Sequence, residues 1–354
     1  MIGWGRVSQP GRNQFNDMGA MYLSSDGINW RVTPIDAGVR RQDASEFSLV
    51  ADGPAGILIL GNVCCTEEER PALWLAADGG TLDRLPWPDT FGVRSEISTL
   101  AATESLYLAG GTAAGSAAVW SSPDGAAWTR IEDPAAGLGA GGLFDIEPAA
   151  DGLVAVGWQD VDGTSDGAVW TSPTGAEWRR LPVALLEGPL ETTIYRVVPW
   201  AGGWFLIGQE GTHADRIACE GIARVASVSD PEGGNAPPPD FSCGWGVETH
   251  WLTADGRDWQ RDIPIGAQPG AVIPDGALIE LRLISAGGPG LVVLGEGSRV
   301  GSAGIFVSAD GIRWQVTAPG GVFPGGSIPN GLAVGGRTIV AVVEGPSAWI
   351  GLAR

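Results

Sequence analysis

Val119-Trp-Ser-Ser-Pro-Asp-Gly-Ala-Ala-Trp128 sets an Asp-Gly pair between two tryptophans, one four residues before the Asp and one four residues after it. Asp-Gly between aromatic-rich runs is a hairpin signal, because Gly accepts the positive φ that a tight turn demands. Pro123 presets φ for the same turn. The unit recurs as Met21–Trp30, Val169–Trp178, His250–Trp259 and Ile305–Trp314, with a weaker copy at Leu73–Leu82. The leading aromatics are Tyr22, Trp74, Trp120, Trp170, Trp251 and Phe306.

Two further short apolar runs precede each hairpin. In 143–157 these are Leu143-Phe-Asp-Ile-Glu147 and Leu153-Val-Ala-Val-Gly157, joined by a polar turn at Asp151-Gly152. Four antiparallel strands recurring about every 50 residues make a propeller blade. Trp349 supplies a seventh aromatic position, on the third strand of a last unit lacking a fourth. At the other end Ile2–Val7 reads as a second strand with no first. The expected fold is all-β, a seven-bladed β-propeller of four-stranded antiparallel blades, with six blades as the alternative. Residues 1–354 read as one propeller domain, interrupted by an insertion at about 212–249.

Composition agrees: 56 Gly and 25 Pro in a chain with 44% hydrophobic residues favour many short elements joined by tight turns. The net charge is −20 and every one of the 21 basic residues is Arg. Such a balance excludes nucleic acid and anionic membranes as expected partners, since both require basic surface. No apolar run approaches the ~20 residues of a membrane span, and no signal peptide is visible. The insertion contains Cys219 and Cys243. A bridge between them would close a loop of about 25 residues, worth about 3 kcal/mol in the chain-entropy picture. That staple would place the protein outside the cytoplasm, secreted or otherwise in an oxidising compartment. Adjacent Cys64 and Cys65 are open to either a bridge or free thiols. The cysteines and His213 and His250 fit no metal-binding spacing, and no cofactor is expected. Asp160–Asp166 has the look of a calcium loop but lacks a closing Glu, so it reads as a solvated blade loop.

The hairpin units resemble the Asp-box, or BNR, repeats of sialidase-like and sortilin-like propellers, with one residue fewer between Asp and Gly than the family's Ser-x-Asp-x-Gly-x-x-Trp. The resemblance implies a propeller whose box residues are scaffold, with ligands taken at the mouth of the central channel. Aligning the innermost strands places Ser48, Ser98, Asp145, Arg196 and Arg282 as polar residues among apolar neighbours, a candidate ring of binding groups. Two guanidinium groups at one opening suit a carboxylate or sulfate. A competing reading pairs the arginines with Asp145 or Glu280 in a wet channel. Tyr195-Arg-Val-Val-Pro199 is a distorted echo of the sialidase Phe/Tyr-Arg-Ile-Pro segment, but no third arginine matches, and no catalytic residue is assigned. Trp4, Trp87, Trp158, Trp200 and Trp245 lie outside the repeat slots and suit either sugar stacking or packing between blades. The expected function is an extracytoplasmic binding or scaffold propeller that recognises a glycan or a protein. The alternative is a sialidase-like glycoside hydrolase with an arginine-lined channel mouth.

Overall fold

The structure is a computed structural model that describes residues 2–7, 18–23, 29, 31–34, 45–63, 70–77, 82–132, 137–200, 203–214, 246–261, 279–288, 290–297, 304–318, 329–335, 338–343 and 348–352. Five four-stranded antiparallel sheets follow one another along the chain. The first is β4 (Ser45–Gly53), β5 (Gly56–Val63), β6 (Arg70–Ala76) and β7 (Asp83–Leu85). Next come β8 (Ser95–Ala102), β9 (Tyr107–Ala113), β10 (Ser116–Ser122) and β11 (Thr129–Arg130). The third is β12 (Gly141–Ala149), β13 (Gly152–Val161), β14 (Thr164–Ser172) and β15 (Arg179–Arg180). The fourth is β16 (Glu191–Trp200), β17 (Gly203–Gly211), β18 (Val247–Thr253) and β19 (Trp259–Arg261). The fifth is β20 (Ile279–Gly287), β21 (Gly290–Gly297), β22 (Gly304–Ser308) and β23 (Gln315–Ala318).

The fold is therefore an all-β, five-bladed propeller of four-stranded antiparallel sheets, which corrects the expected seven such blades and the alternative of six. The remaining sheets, one before the five and one after, hold three strands each among the described residues: β1 (Ile2–Val7), β2 (Met18–Leu23) and β3 (Arg31–Pro34), then β24 (Pro329–Gly335), β25 (Thr338–Val343) and β26 (Ala348–Leu352). The overcount has a simple cause. The aromatic used to count blades sits on the third strand of each unit, so it marks a three-stranded sheet as readily as a complete blade.

Strand alternation builds the core between blades and not within them. Val154 and Val156 face the β16–β19 blade, whereas Leu153 and Ala155, which alternate with them in sequence, face the β8–β11 blade. Both faces of this blade are thus buried, which is why its second strand carries the continuous apolar run Leu153-Val-Ala-Val156. Tyr107, fully buried, donates to the Gly56 carbonyl at 2.6 Å and accepts the Ala55 N–H at 3.1 Å, tying neighbouring blades.

The hairpin units close as their residues dictate. In the β10–β11 turn one Asp124 carboxylate oxygen accepts the N–H groups of Ala126 and Ala127 at 2.9 and 2.8 Å. Ser122 Oγ accepts the Gly125 N–H at 2.8 Å, and the Trp128 indole donates to the Gly125 carbonyl at 2.8 Å. Trp120 pairs across the strands with Arg130. The two tryptophans are instead joined through Phe91, whose ring centroid lies 5.4 Å from Trp120 and 5.2 Å from Trp128.

Every innermost strand of the five blades carries a bulge at the same register: between Phe47 and Leu49, Ile97 and Thr99, Leu143 and Asp145, Ile194 and Arg196, and Leu281 and Leu283. Each bulge faces a glycine of the second strand, namely Gly61, Gly111, Gly157, Gly208 and Gly295. A Cβ on Gly157 would lie 2.0 Å from the Gly142 carbonyl oxygen. The two backbones approach too closely for any side chain.

Candidate functional site

The bulges decide which inner-strand residues share a level. Ser48, Ser98 and Arg282 occupy the bulged position itself, level with Phe144 and Tyr195. Asp145 and Arg196 stand one residue beyond it, level with Leu49, Thr99 and Leu283. The five candidate residues thus divide into two adjacent levels. Ser48 is exposed and Ser98 half-buried, while the Arg282 side chain lies outside the described residues.

Asp145 and Arg196 come together around Thr99. One Asp145 carboxylate oxygen accepts the Thr99 hydroxyl at 3.4 Å, and the other accepts the Val197 N–H at 3.0 Å. Thr99 Oγ1 also accepts the Ile146 N–H at 3.3 Å. A single carboxylate therefore joins β8, β12 and β16, the inner strands of three consecutive blades. Arg196 is exposed and makes no ion pair or hydrogen bond among the described residues.

Glu147 follows two residues later on the same strand, half-buried. Burial pushes its carboxyl up to about 8, the Asp145 charge adds to the rise, and Arg196 opposes it. Asp145 is raised as well, by burial, against the pull of Arg196 and the bonds from Val197 and Thr99. The group thus combines an exposed cation, a carboxylate held by its neighbours, and a carboxyl that keeps its proton near neutrality. Thr99 and Glu147 were not among the residues picked from sequence. Two acids spaced two apart on a core strand were the available sign of Glu147.

Higher on the fourth blade, the Tyr195 hydroxyl donates to Glu248 at 3.1 Å, and the other Glu248 oxygen meets His250 Nε2 at 3.1 Å. His250 packs against Phe205, with ring centroids 5.5 Å apart. At the end of the blade where β16 begins, buried Glu191 contacts His213, and buried Glu210 contacts Arg261 and Thr192. The Asp160–Asp166 stretch forms the β13–β14 hairpin, in which Asp160 accepts the Gly163 N–H at 2.8 Å. Among the described residues no cluster of three metal-ligating side chains occurs. No helix among them is long and apolar enough to cross a membrane. Cys64, Cys65, Cys219, Cys243 and Trp245 lie outside the described residues.

No protein-family model matches the chain, and no curated protein matches it in sequence. Solved structures do match in fold. The structure titled YCF48 bound to D1 peptide is 12% identical with a TM-score of 0.53, over 99% of this chain and 97% of that one. The β-propeller domain of the Trilobed protease from Pyrococcus furiosus, described as having an open velcro topology, is 9% identical with a TM-score of 0.52, over 99% and 88% of the two chains. A protein from Lactobacillus plantarum is 12% identical with a TM-score of 0.50, over 99% and 90%. At such identities the likeness is one of fold: the chain is similar to β-propellers.

Proposed function

We propose that this chain is a binding propeller that takes a carboxylate of a protein ligand at its channel, with Arg196 as the recognising group. The observation that carries the reading is the exposed Arg196 guanidinium, which makes no hydrogen bond or ion pair among the described residues, beside a carboxylate already engaged by Thr99 and Val197. Asp145 fixes the strands and leaves the cation free to act outward. A fork of guanidinium donors suits a planar oxyanion, and a protonated Glu147 adds a donor where a second negative charge would repel. The peptide bound to YCF48 supports a peptide ligand on this fold. The overall charge of −20 disfavours long polyanions such as nucleic acid and suits a ligand of few charges, such as a chain terminus. A bridged Cys219–Cys243 pair would accord with action outside the cytoplasm.

Calorimetric titration with peptides differing only in a free or amidated C-terminus tests the reading. The free carboxylate should bind, the amide should not, and Arg196→Ala should weaken binding by about ten- to a hundredfold. Equal affinity for both peptides, or an unaffected Arg196→Ala, overturns it.

The Tyr195–Glu248 hydrogen bond favours a second reading, a glycoside hydrolase in which a glutamate activates a tyrosine nucleophile beside Arg196. Turnover of a chromogenic glycoside that disappears in Tyr195→Phe would support it.

A further inference from the structure

At the opposite end of the blades, where the Asp-Gly hairpins lie, a cleft of about 600 Å³ opens between the β12–β15 and β16–β19 blades. Its walls include Arg179 and Leu181 from one blade, and Trp204, Asp255 and Arg257 from the other, with Asp151 at the β12–β13 turn. The two arginines reach it for separate local reasons. Arg180 turns the other way to pair with Glu187 at 3.4 Å, so strand alternation sends its neighbour Arg179 to the cleft. Arg257 follows Gly256 in the hairpin, and its own N–H is held at 2.9 Å by Asp255. Both guanidinium groups are exposed, and neither has an ion pair or hydrogen bond among the described residues.

Trp204 supplies a fixed aromatic wall. Its indole lies against Gly256, where a Cβ would come within 2.9 Å of the ring, and it packs on Trp259 with centroids 6.0 Å apart. One Asp255 oxygen is committed to the hairpin, accepting the Arg257 and Asp258 N–H groups and the Thr253 hydroxyl, and these bonds hold its carboxyl below the usual range and so ionised. Facing the space are two cations from different blades, one indole, aliphatic surface and the Asp151 and Asp255 carboxylates, the latter with one oxygen committed to its own turn.

We infer that this cleft is a binding site for an acidic saccharide, with Arg179 and Arg257 taking the uronic carboxylates and Trp204 packing against a sugar ring. A volume of several hundred Å³ accommodates a small ligand of this kind. A peptide is the poorer fit, because strand addition needs a row of open backbone donors and acceptors. Here β15 is only two residues long, its successor Leu181 already donates to the Val169 carbonyl at 2.8 Å, and Pro182 has no N–H to offer. Recognition must therefore run through side chains, and an indole beside guanidinium groups suits a ring carrying hydroxyls and a carboxylate. The site is separate from the channel and does not rest on the function proposed for it.

Titrating the full chain with digalacturonate, and following tryptophan fluorescence and heat, tests the inference. Digalacturonate should bind while neutral cellobiose and the dianionic peptide acetyl-Glu-Glu-amide should not. Arg179→Ala and Arg257→Ala should each weaken binding about tenfold or more. The doubly conservative Arg179→Lys, Arg257→Lys variant keeps the charge and the fold but loses the fork, and should recover only part of the affinity. Arg313→Ala, a charge change on the next hairpin, should leave binding as it was. Failure of digalacturonate to bind overturns the inference. So does equal binding of the peptide, which would reduce the cleft to a nonspecific cation pair, or binding untouched by the arginine substitutions.

Discussion

Glu147 shows how much one residue's surroundings change its chemistry. A glutamate on an exposed strand would be charged throughout the neutral range. Here burial, and then the Asp145 charge, hold its carboxyl up to about 8, and only Arg196 draws it back. The sign of the consequence follows from linkage. Between the ordinary value of 4.5 and about 8 the folded chain binds this proton more tightly than the unfolded chain does. Stability must then fall as pH rises through that window, with the penalty absent below it and complete above it. Glu147→Gln removes the ionisation while keeping the shape. The variant should melt at the same temperature as the parent near pH 4 and above it near pH 8.5, in thermal scans across pH. Equal pH dependence of the two proteins would mean that Glu147 ionises freely in the fold. Asp145, by contrast, is committed to Thr99 and Val197, and its place is structural.

At the scale of the element, the bulge on each inner strand is the recurring device, and a glycine opposite makes room for it. Gly157 is the sharpest instance, since its missing side chain is replaced by the Gly142 carbonyl. Gly157→Ala should cost about 1–3 kcal/mol through overpacking. Gly188→Ala, at a site with nothing within 4 Å, should leave stability nearly unchanged. Urea denaturation of the two variants makes the comparison, and matched midpoints would show that the strands part without cost. The same bulges explain what sequence reading recovered and what it did not. Hairpins and strands were legible because Asp-Gly turns and alternating apolar residues are local signals. The bulges were not, because the extra residue on β12 and β16 is Phe144 or Tyr195, either of which passes for an ordinary strand aromatic. Aligning Asp145 and Arg196 with Ser48, Ser98 and Arg282 therefore ran one residue out. Thr99, the neighbour that Asp145 actually holds, was passed over for Ser98. Blade number failed for a related reason, since a third-strand aromatic carries no information about whether a first strand precedes it or a fourth follows.

Over the whole molecule, stability is held in the spaces between sheets. Among the described residues five buried clusters lie in succession, each shared by two neighbouring sheets, from the one between β4–β7 and β8–β11 to the one between β20–β23 and β24–β26. No blade owns a core, so a defect in one cluster weakens two blades at once. Each cluster touches only its neighbours, so the damage should fade with distance along the chain, as in other stacked-repeat proteins. The net charge of −20 acts differently, since mutual repulsion loads every blade without favouring one. Phe205 tests the distinction. It is fully buried in the cluster between the β16–β19 and β20–β23 blades, edge-on to Trp314 with centroids 6.1 Å apart. Phe205→Ala should cost about 3–5 kcal/mol through lost burial and the cavity left behind. Hydrogen exchange read by mass spectrometry should then show protection falling in both β16–β19 and β20–β23, while β8–β11 keeps its own, because sub-global opening draws on local contacts. Loss confined to β16–β19 would mean that the blade carries its own stability. Equal loss in every blade would mean that the sheets unfold as one unit, in which case a cluster's position along the chain has no bearing on where the structure opens.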